Sequence, residues 1–242
     1  MRILVTRPEP DAAEQAAKLQ ALGHEPVLAP LLRIEFLSGD IDLAGVQAIV
    51  ATSRNALRAL AARSRDLTEA LRHPLIAVGE ATAKTGRALG FADVRAGPGT
   101  GAELARMLSE SLDASAGALV HVCGEDLAFD LASALSPHGF EVRRSILYRS
   151  VPAAELPPNA AALLAAGTLD GVILMSPRTS STFARLTRQR GVMAEVEKLI
   201  CYCLSEAVAQ PLQALRARVM VAPRPNEEEV LALIDSGGPC SQ

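Results

Sequence analysis

The chain has few aromatic side chains and no excess of positive charge. Its 242 residues include no Trp, two Tyr and five Phe, and the formal net charge is −3 at pH 7. Proteins that bind nucleic acids use basic surfaces for the phosphates and aromatic platforms for the bases. We therefore expect no specific binding to nucleic acid.

Long apolar runs are also missing. Almost half of the residues are apolar, mainly Ala, Leu and Val, yet no stretch approaches the ~18 uninterrupted apolar residues that a membrane helix needs. The first residues run directly into an apolar strand, without the longer apolar region and cleavage site of an export signal. We expect a soluble, cytoplasmic protein with no membrane partner.

The sequence has no recognisable metal or nucleotide motif. Cys201 and Cys203 lie two apart in a predicted strand and should share one face, Cys123 follows a strand, and Cys240 lies in a polar tail. No cysteine has a partner at zinc spacing, and neither a Walker loop nor a GxGxxG after a strand is present. No Ser/His/Asp set has a recognisable spacing, and we assign the four histidines no function. We expect no cofactor and no metal.

What the sequence does contain is an internal duplication. Residues 3–27 align without a gap on residues 119–143, and residues 48–53 match residues 171–176. Further on, residues 77–83 match residues 203–209. A duplication of this kind usually means two similar domains, which we expect to face one cleft.

Apolar strand candidates alternate with helix-period segments along the whole chain. A helix is predicted over residues 10–22, because Ala12, Ala16 and Leu19 recur at helical spacing and Gly23 supplies a stop. Strict alternation predicts parallel sheets covered on both faces, which is an α/β doubly wound architecture. The predicted strands are residues 3–6, 25–28, 48–51, 75–78, 94–96, 118–122, 141–145, 171–174, 199–204 and 218–221.

The lengths of the connections predict how the domains are joined. The joins at residues 30–47 and 147–170 are long, whereas residues 112–117 make a short connection inside the second domain. We expect one discontinuous domain of residues 1–30 plus 153–242, with residues 39–147 inserted into it as a second domain. Residues 31–38 and 148–152 are rich in strand formers and should pair as a two-stranded linker that acts as a hinge.

The residues that follow the strands are the candidate ligand-binding residues, since ligands of open parallel sheets bind beyond the carboxyl ends of the strands. Several of these loops combine a helix start with a hydroxyl, which suits carboxylates or phosphates. Several such sites suggest a polyanionic ligand. The residues that we select on this basis are Thr6, Arg7, Thr52, Ser53, Arg54, Gly79, Thr82 and Ser176.

Each of these residues also has a purely structural interpretation. A Ser or Thr before a helix is a preferred N-cap, Gly79 could permit a tight turn, and the arginines could be solvated surface charges. Tyr148 could be an ordinary tyrosine of the connector. Taken singly, each of these readings is favoured over ligand binding.

Taken together and in order, the motifs closely resemble the uroporphyrinogen-III synthase family over nearly the whole chain. The resemblance rests on the opening Ile-Leu-Val-Thr-Arg-Pro with Leu22-Gly23-His24, the Thr52-Ser53 loop, residues 77–83 (AVGEATA), Gly124-Glu125, Tyr148-Arg149 and Met175-Ser176-Pro177.

The resemblance implies two flavodoxin-like domains with a two-stranded linker, and a cofactor-free cyclisation of hydroxymethylbilane with inversion of the last pyrrole ring and loss of water. It implies that Tyr148 assists departure of the hydroxyl, and that Thr82, Ser53 and Ser176 contact the substrate. The chain departs from the family at Ser205, where Gly is expected, and at Val208, where a hydroxyl is expected. Lower activity or a shifted substrate pose would follow.

Two alternatives remain open at this point: a non-catalytic two-lobed binder of anionic ligands, and a diverged family member kept as a regulatory domain. For the synthase, the expected partner is a small-molecule polycarboxylate. We expect a monomer that could contact, transiently, the enzyme that makes the bilane.

Overall fold

The computed structural model describes residues 1–236, which form two α/β units. Unit 1 comprises Met1–Arg33 together with Val151–Gln242, and unit 2 comprises Ile34–Ser150. One unit is therefore inserted into the other. Cys240, placed by the sequence in a polar tail, lies outside the described residues.

The strands agree closely with those predicted. They are β1 (Arg2–Val5), β2 (Glu25–Leu28), β3 (Leu32–Phe36), β4 (Val46–Ala51), β5 (Leu75–Ala77), β6 (Val94–Ala96), β7 (Ala118–Gly124), β8 (Val142–Pro152), β9 (Gly171–Leu174), β10 (Ile200–Cys203) and β11 (Arg218–Val221).

Helices connect most of the strands, and the alternation breaks only where β2, β3 and β4 follow one another. The helices are α1 (Asp11–Ala21), α2 (Arg54–Ala61), α3 (Ser64–Ala70), α4 (Glu80–Ala88), α5 (Gly101–Ser111), α6 (Leu131–Leu135), α7 (Pro158–Ala165), α8 (Pro177–Arg190), α9 (Met193–Val196), α10 (Glu206–Ala209) and α11 (Glu227–Ser236). Short 3-10 helices span Ala114–Ala116, Ser136–His138 and Gln210–Leu215.

The sheet of unit 1 has the strand order of a flavodoxin-like fold, and the sheet of unit 2 has a permuted form of that order with β3 added at its edge. The sheet of unit 1 runs β11-β10-β9-β1-β2 with parallel neighbours throughout. The sheet of unit 2 runs β3-β8-β7-β4-β5-β6 and is parallel from β8 to β6. Counted along the chain, unit 1 has the doubly wound order 2-1-3-4-5. The predicted fold class is confirmed.

The two sheets become equivalent only after a circular permutation. The sequence repeat aligns β1 and β2 with β7 and β8, and it aligns β9, β10 and β11 with β4, β5 and β6. With that pairing, the order β2-β1-β9-β10-β11 maps directly onto β8-β7-β4-β5-β6. The insertion of unit 2 after β2 explains why the two halves of its repeat occur in reversed chain order.

The two segments that the sequence predicts as linker strands pair with each other. Leu37 N donates to Leu147 O at 2.8 Å, and Ala153 N donates to Leu31 O at 2.9 Å, so the two segments run antiparallel. The second segment is not a separate strand after residue 145, because β8 continues unbroken to Pro152. No glycine or proline interrupts the sequence between Val142 and Val151, so nothing ends the strand earlier.

Side chains along each strand point alternately to the two faces of the sheet, and both faces carry packed apolar residues. In unit 1, Leu4 faces one apolar cluster, whereas Ile3 and Val5 face the other. In unit 2, Ile49 lies in one cluster and Val50 in the second. Helices cover both faces, so the edges at which the strands end are the places left for ligands. Within the described chain, no helix combines the length and the apolar character that crossing a membrane requires.

The cysteines of β10 share one face, as the sequence predicts. Cys201 and Cys203 both lie in the buried cluster that contains Leu4. Burial raises the pKa of each thiol to about 12. Since the thiolate is the reactive form, these cysteines are unreactive core residues at neutral pH.

The turn into β7 generates a prediction about stability. Gly117 has φ +136°, and a Cβ built there would lie 2.5 Å from Gly45 O. Gly45 has φ +64°, but a Cβ there would meet nothing within 4 Å. We expect Gly117→Ala to lower the free energy of unfolding by about 3 kcal/mol or more, and Gly45→Ala by only about 1 kcal/mol. Urea unfolding followed by circular dichroism measures both, and equal losses would contradict the clash.

Candidate functional site

The sheet of unit 2 changes its direction of winding between β7 and β4. These strands are neighbours, but the chain leaves β4 towards β5 on one side and leaves β7 towards β8 on the other. Such a switch point opens a crevice at the carboxyl ends of the strands. Thr52 and Ser53 follow β4, and Gly124 ends β7, so the predicted hydroxyl loop lies at this crevice.

Ser53 begins α2 as an N-cap. Its extended backbone (φ −152°, ψ 139°) lets the side-chain oxygen accept a hydrogen bond from Asn55 N at 3.1 Å. The cap satisfies one of the amides of the first turn, and the other first-turn amides have no intrahelical partner. Arg54 is the first residue of this helix. The capping interpretation and a ligand-binding role are therefore compatible at Ser53.

Tyr148 lies beside this helix start, with its ring packed against Gly124. On β8, Tyr148 pairs with Gly124 just after an irregularity in the ladder. A Cβ at Gly124 would lie 2.7 Å from Tyr148 Cζ and 3.0 Å from its hydroxyl oxygen. The ring therefore occupies the space above Gly124, and its hydroxyl is hydrogen-bonded to the Ser53 side chain.

The phenol of Tyr148 is in its protonated form at neutral pH. Burial raises its pKa above the ordinary value, the Ser53 hydrogen bond partly opposes this rise, and Cys123 adds to it. A half-buried, neutral phenol beside an open crevice can donate a proton or a hydrogen bond to a bound group. Tyr148, Ser53 and Gly124 thus lie together at the crevice of unit 2.

Thr52 contacts a residue that sequence reasoning passed over. Its Oγ1 lies 2.9 Å from His121 Nε2, and the His121 side chain is completely buried. Thr52 itself is only half-buried. The signal in the sequence was a single imidazole in the middle of the apolar strand Leu119-Val120-His121-Val122.

The loop after β5 contributes Gly79 and Thr82. Gly79 is the N-cap of α4 and is extended, so its backbone conformation does not demand glycine. Instead, a Cβ there would lie 3.3 Å from Gly99 Cα, which indicates close packing of two loops. Thr82 is 5 % exposed. Its side chain therefore has little exposed surface, and its contact with substrate stays a prediction.

In unit 1, the equivalent switch point lies between β1 and β9. Ser176 N-caps α8, where its hydroxyl accepts from Thr179 N at 3.1 Å and lies 2.8 Å from Thr179 Oγ1. Thr6 is fully buried, and its hydroxyl donates to Ile173 O at 2.6 Å. The Thr6 side chain ties β1 to β9 and presents no surface to a ligand.

Arg7 also forms its ion pairs within the protein. Its guanidinium pairs with Asp11 at 2.6 Å and with Glu227 at 3.1 Å, and Lys18 pairs with the same glutamate. Burial raises the pKa of Glu227, but the Lys18 hydrogen bond and the charge of Arg7 outweigh it, and the net shift is downward. The carboxylates that Arg7 binds here belong to α1 and α11, and its role as a partner for substrate carboxylates stays a prediction.

Two of the four helices that follow the switch-point strands share an electrostatic feature: α2 follows β4, and α8 follows β9. Neither α2 nor α8 has an acidic residue in its first turn, and α6 and α7 have none either, whereas α1, α4, α5 and α11 do. Acidic residues at helix N-termini neutralise the positive end of the helix dipole. No acidic side chain of the first turn neutralises that charge in α2 or α8.

The two departures from the family pattern lie at a short helix of unit 1. Ser205 precedes α10, which has four residues, and it makes no side-chain cap hydrogen bond. Val208 is 2 % exposed and belongs to the core. Its sequence equivalent Thr82 is buried as well. Replacement of a hydroxyl by Val at this position therefore removes little accessible polar surface.

A groove of about 500 Å³ lies elsewhere in unit 2. None of the predicted site residues lines it, so we place the candidate site at the switch points. Its lining residues are Ala102, Ala105, Arg106, Ser109, Glu110, Phe129, Ala134 and His138. Over residues 1–236, no group of His, Cys, Asp and Glu could hold a metal ion.

Comparison with known sequences identifies the family. A sequence model described as "Uroporphyrinogen-III synthase HemD" matches residues 13–232. The chain belongs to the uroporphyrinogen-III synthase family. This family provides an enzyme of tetrapyrrole biosynthesis. A search of curated proteins found no significant match.

Solved structures of uroporphyrinogen-III synthases share the fold. The enzyme of Helicobacter pylori matches with a TM-score of 0.66 at 18 % identity, covering 97 % of this chain and 98 % of that one. A mutant enzyme of Thermus thermophilus matches with a TM-score of 0.56 at 17 % identity, covering 98 % of this chain and 96 % of that one. The two-unit α/β architecture is thus the architecture of the family.

The environment of Tyr148 generates a prediction about its titration. The chain has two tyrosines, so the variant Tyr202→Phe leaves Tyr148 as the one phenol that absorbs. We expect it to ionise above pH 10, its ordinary value. Adding Ser53→Ala should raise the pKa further, because the hydrogen bond that favours the phenolate is lost. Ultraviolet titration measures both, and circular dichroism verifies that the fold persists. A pKa that falls on removal of Ser53 would contradict the contact.

Proposed function

We propose that the chain is a uroporphyrinogen-III synthase, which cyclises hydroxymethylbilane with loss of water and inversion of the last pyrrole ring. The observation that carries the proposal is the position of Tyr148 in a member of this family. Its neutral phenol lies over Gly124 and is hydrogen-bonded to Ser53 at the carboxyl end of the unit 2 sheet.

The substrate is a linear tetrapyrrole whose rim carries many carboxylates. The N-termini of α2 and α8, which lack acidic first turns, supply amides and a dipole suited to such groups. We assign Ser53 and Arg54 to this role in unit 2, and Ser176 in unit 1. Binding through amides does not require a strong basic field, which agrees with the net charge of −3.

Tyr148 is assigned the catalytic role. Water leaves from the hydroxymethyl group of the first ring, and the departing hydroxyl takes up a proton. A phenol whose pKa is raised by burial keeps its proton at neutral pH and can supply it, directly or through an ordered water. The resulting electrophile is attacked by the last pyrrole at its substituted position, and a spiro intermediate then fragments and recloses.

Much of the catalysis comes from positioning. The bilane cyclises spontaneously to the isomer without inversion, so the protein must hold the two ends of the chain in one geometry. Rigid elements serve this purpose: the anion sites begin at helix termini, and Tyr148 is part of a long strand. The enzyme class that follows is a cyclising hydro-lyase that needs no cofactor.

The remaining assignments extend this proposal. We propose a cytoplasmic monomer without a nucleic-acid or membrane partner, in transient contact with the enzyme that supplies the bilane. We also propose that residues 1–30 plus 153–242 and residues 39–147 are the two domains. The boundaries between the two units fall at residues 33–34 and 150–151. Both boundaries lie inside the proposed linker segments 31–38 and 148–152.

The function predicts a specific product. Purified protein incubated with freshly prepared hydroxymethylbilane should form mainly the type III isomer, because enforced geometry selects inversion over direct closure. Oxidised products resolved by chromatography give the isomer ratio, and a chelator should leave that ratio unchanged. Formation of the type I isomer alone, at the rate seen without protein, would refute the function.

A second prediction concerns the phenol. Tyr148→Phe should lower kcat by about 10² to 10⁴-fold if the hydroxyl acts as a general acid, while leaving folding nearly intact. Tyr202→Phe is the matched control, because Tyr202 is fully buried and its hydroxyl has no partner in residues 1–236. The control should keep wild-type turnover. Equal turnover of Tyr148→Phe and the wild type would show that Tyr148 is structural only.

A further inference from the structure

His121 is buried without a full set of hydrogen bonds. Its side chain has no exposed surface, Nε2 contacts Thr52 Oγ1 at 2.9 Å, and Nδ1 has no partner among residues 1–236. A buried polar group of this kind costs stability, and leucine or valine is the ordinary occupant of such a strand position. The hydrogen-bonding contact that the buried imidazole does make is the one with Thr52.

The register of the sheet imposes this contact. His121 of β7 pairs with Val50 of β4. Side chains two residues apart on a strand share a face, so Thr52 projects on the same face as Val50 and its partner. The apolar cluster that contains Val50 on this face also contains Leu119 and Leu104. Thr52 itself lies at the crevice and is half-buried.

The imidazole is neutral under working conditions. Burial and, to a smaller extent, the charge of Arg144 lower the pKa of His121, Asp130 partly opposes them, and the net pKa is about 4. A neutral ring carries one proton, on either Nε2 or Nδ1. The two tautomers have opposite consequences for Thr52.

Hydrogen bonding distinguishes between the tautomers. With the proton on Nδ1, a buried N–H would have no acceptor. With the proton on Nε2, that N–H donates to Thr52 Oγ1, and the unpaired atom is an acceptor instead. Orphaned buried donors are rarer in proteins than incompletely satisfied acceptors. The arrangement therefore favours the Nε2–H tautomer, in which the Thr52 hydroxyl receives a hydrogen bond and its own proton stays available.

We propose that His121 is a positioning residue: its Nε2–H donates to Thr52 Oγ1, so that the Thr52 hydroxyl directs its proton to a substrate carboxylate. The proposal rests on the proposed function for the identity of that carboxylate. In addition to the N-terminus of α2, the site then has a hydroxyl donor, Thr52, whose direction is fixed. Because a rim carboxylate is remote from the reacting atoms, this contact contributes equally to substrate and transition state, and it sets KM more than kcat.

The tautomer is tested directly by NMR of protein labelled with ¹⁵N in its histidines. The imidazole spectrum should show His121 as a neutral ring protonated at Nε2 at pH 7, and the variant His121→Gln, by losing that signal, assigns it. A ring protonated at Nδ1 would overturn the proposal. This measurement needs no substrate, so it stands even if the protein forms no type III isomer and the proposed function fails.

The kinetics of His121 variants tests whether this residue positions Thr52. We expect His121→Leu to raise KM for hydroxymethylbilane roughly fivefold to tenfold, with less than a twofold change in kcat. Its melting temperature should be unchanged or higher, since leucine removes a buried unpaired nitrogen from an apolar face. His121→Gln keeps an N–H donor on a side chain of similar reach and should restore KM to near the wild-type value. His138→Leu, at an exposed histidine, is the control.

A double-mutant cycle completes the test. If His121 acts through Thr52, His121→Leu should have no further effect on KM in a Thr52→Val background. An equal increase in both backgrounds would contradict the proposal, as would a KM for His121→Leu equal to that of the wild type. A stability loss in His121→Leu without a change in KM would assign His121 a structural role only.

Discussion

Each sheet has one pair of neighbouring strands whose chain connections leave in opposite directions, and the candidate site depends on this constraint. The pairs are β1 with β9 and β7 with β4. Helices diverge on either side of such a pair, so the strand ends and the helix starts there remain open. The hydroxyls of Ser53 and Ser176, the phenol of Tyr148 and the imidazole of His121 derive their positions from these two switch points.

Polar groups near the switch points divide into those that serve the fold and those that remain available. Thr6 closes a hydrogen bond between strands, and Arg7 neutralises carboxylates of its own unit. Tyr148, Thr52 and Ser53 are half-buried at the crevice of unit 2. An anion approaching that crevice meets amides, hydroxyls and a helix dipole that no acidic first-turn side chain neutralises. This is an environment for a polycarboxylate.

The sequence predicted the fold closely because the strands are apolar runs bounded by clear helix periods, and because the repeat showed the duplication. It could not predict that β8 continues into the linker, since strand ends depend on pairing partners as well as on propensity. For the site, the strand-end rule selected Ser53 and Ser176 at open helix starts. It also selected Thr6 and Arg7, whose partners Ile173 and Glu227 are distant in sequence and appear only in the folded chain. His121 escaped notice for the same reason, because its contact with Thr52 depends on the register of β7 against β4.

The most direct test of the account is where the product binds. Backbone amide NMR of the protein should be recorded while it is titrated with uroporphyrin III, the stable oxidised form of the product. We predict the largest shifts at the amides of Ser53, Asn55 and Tyr148 in unit 2, and at Thr179 in unit 1. Amides at the opposite ends of the strands, such as those of Ala118 and Ile200, should move little. Shifts confined to those opposite ends, or to the groove lined by Ala105 and Arg106 of α5, would contradict the account if the amides at the starts of α2 and α8 did not move.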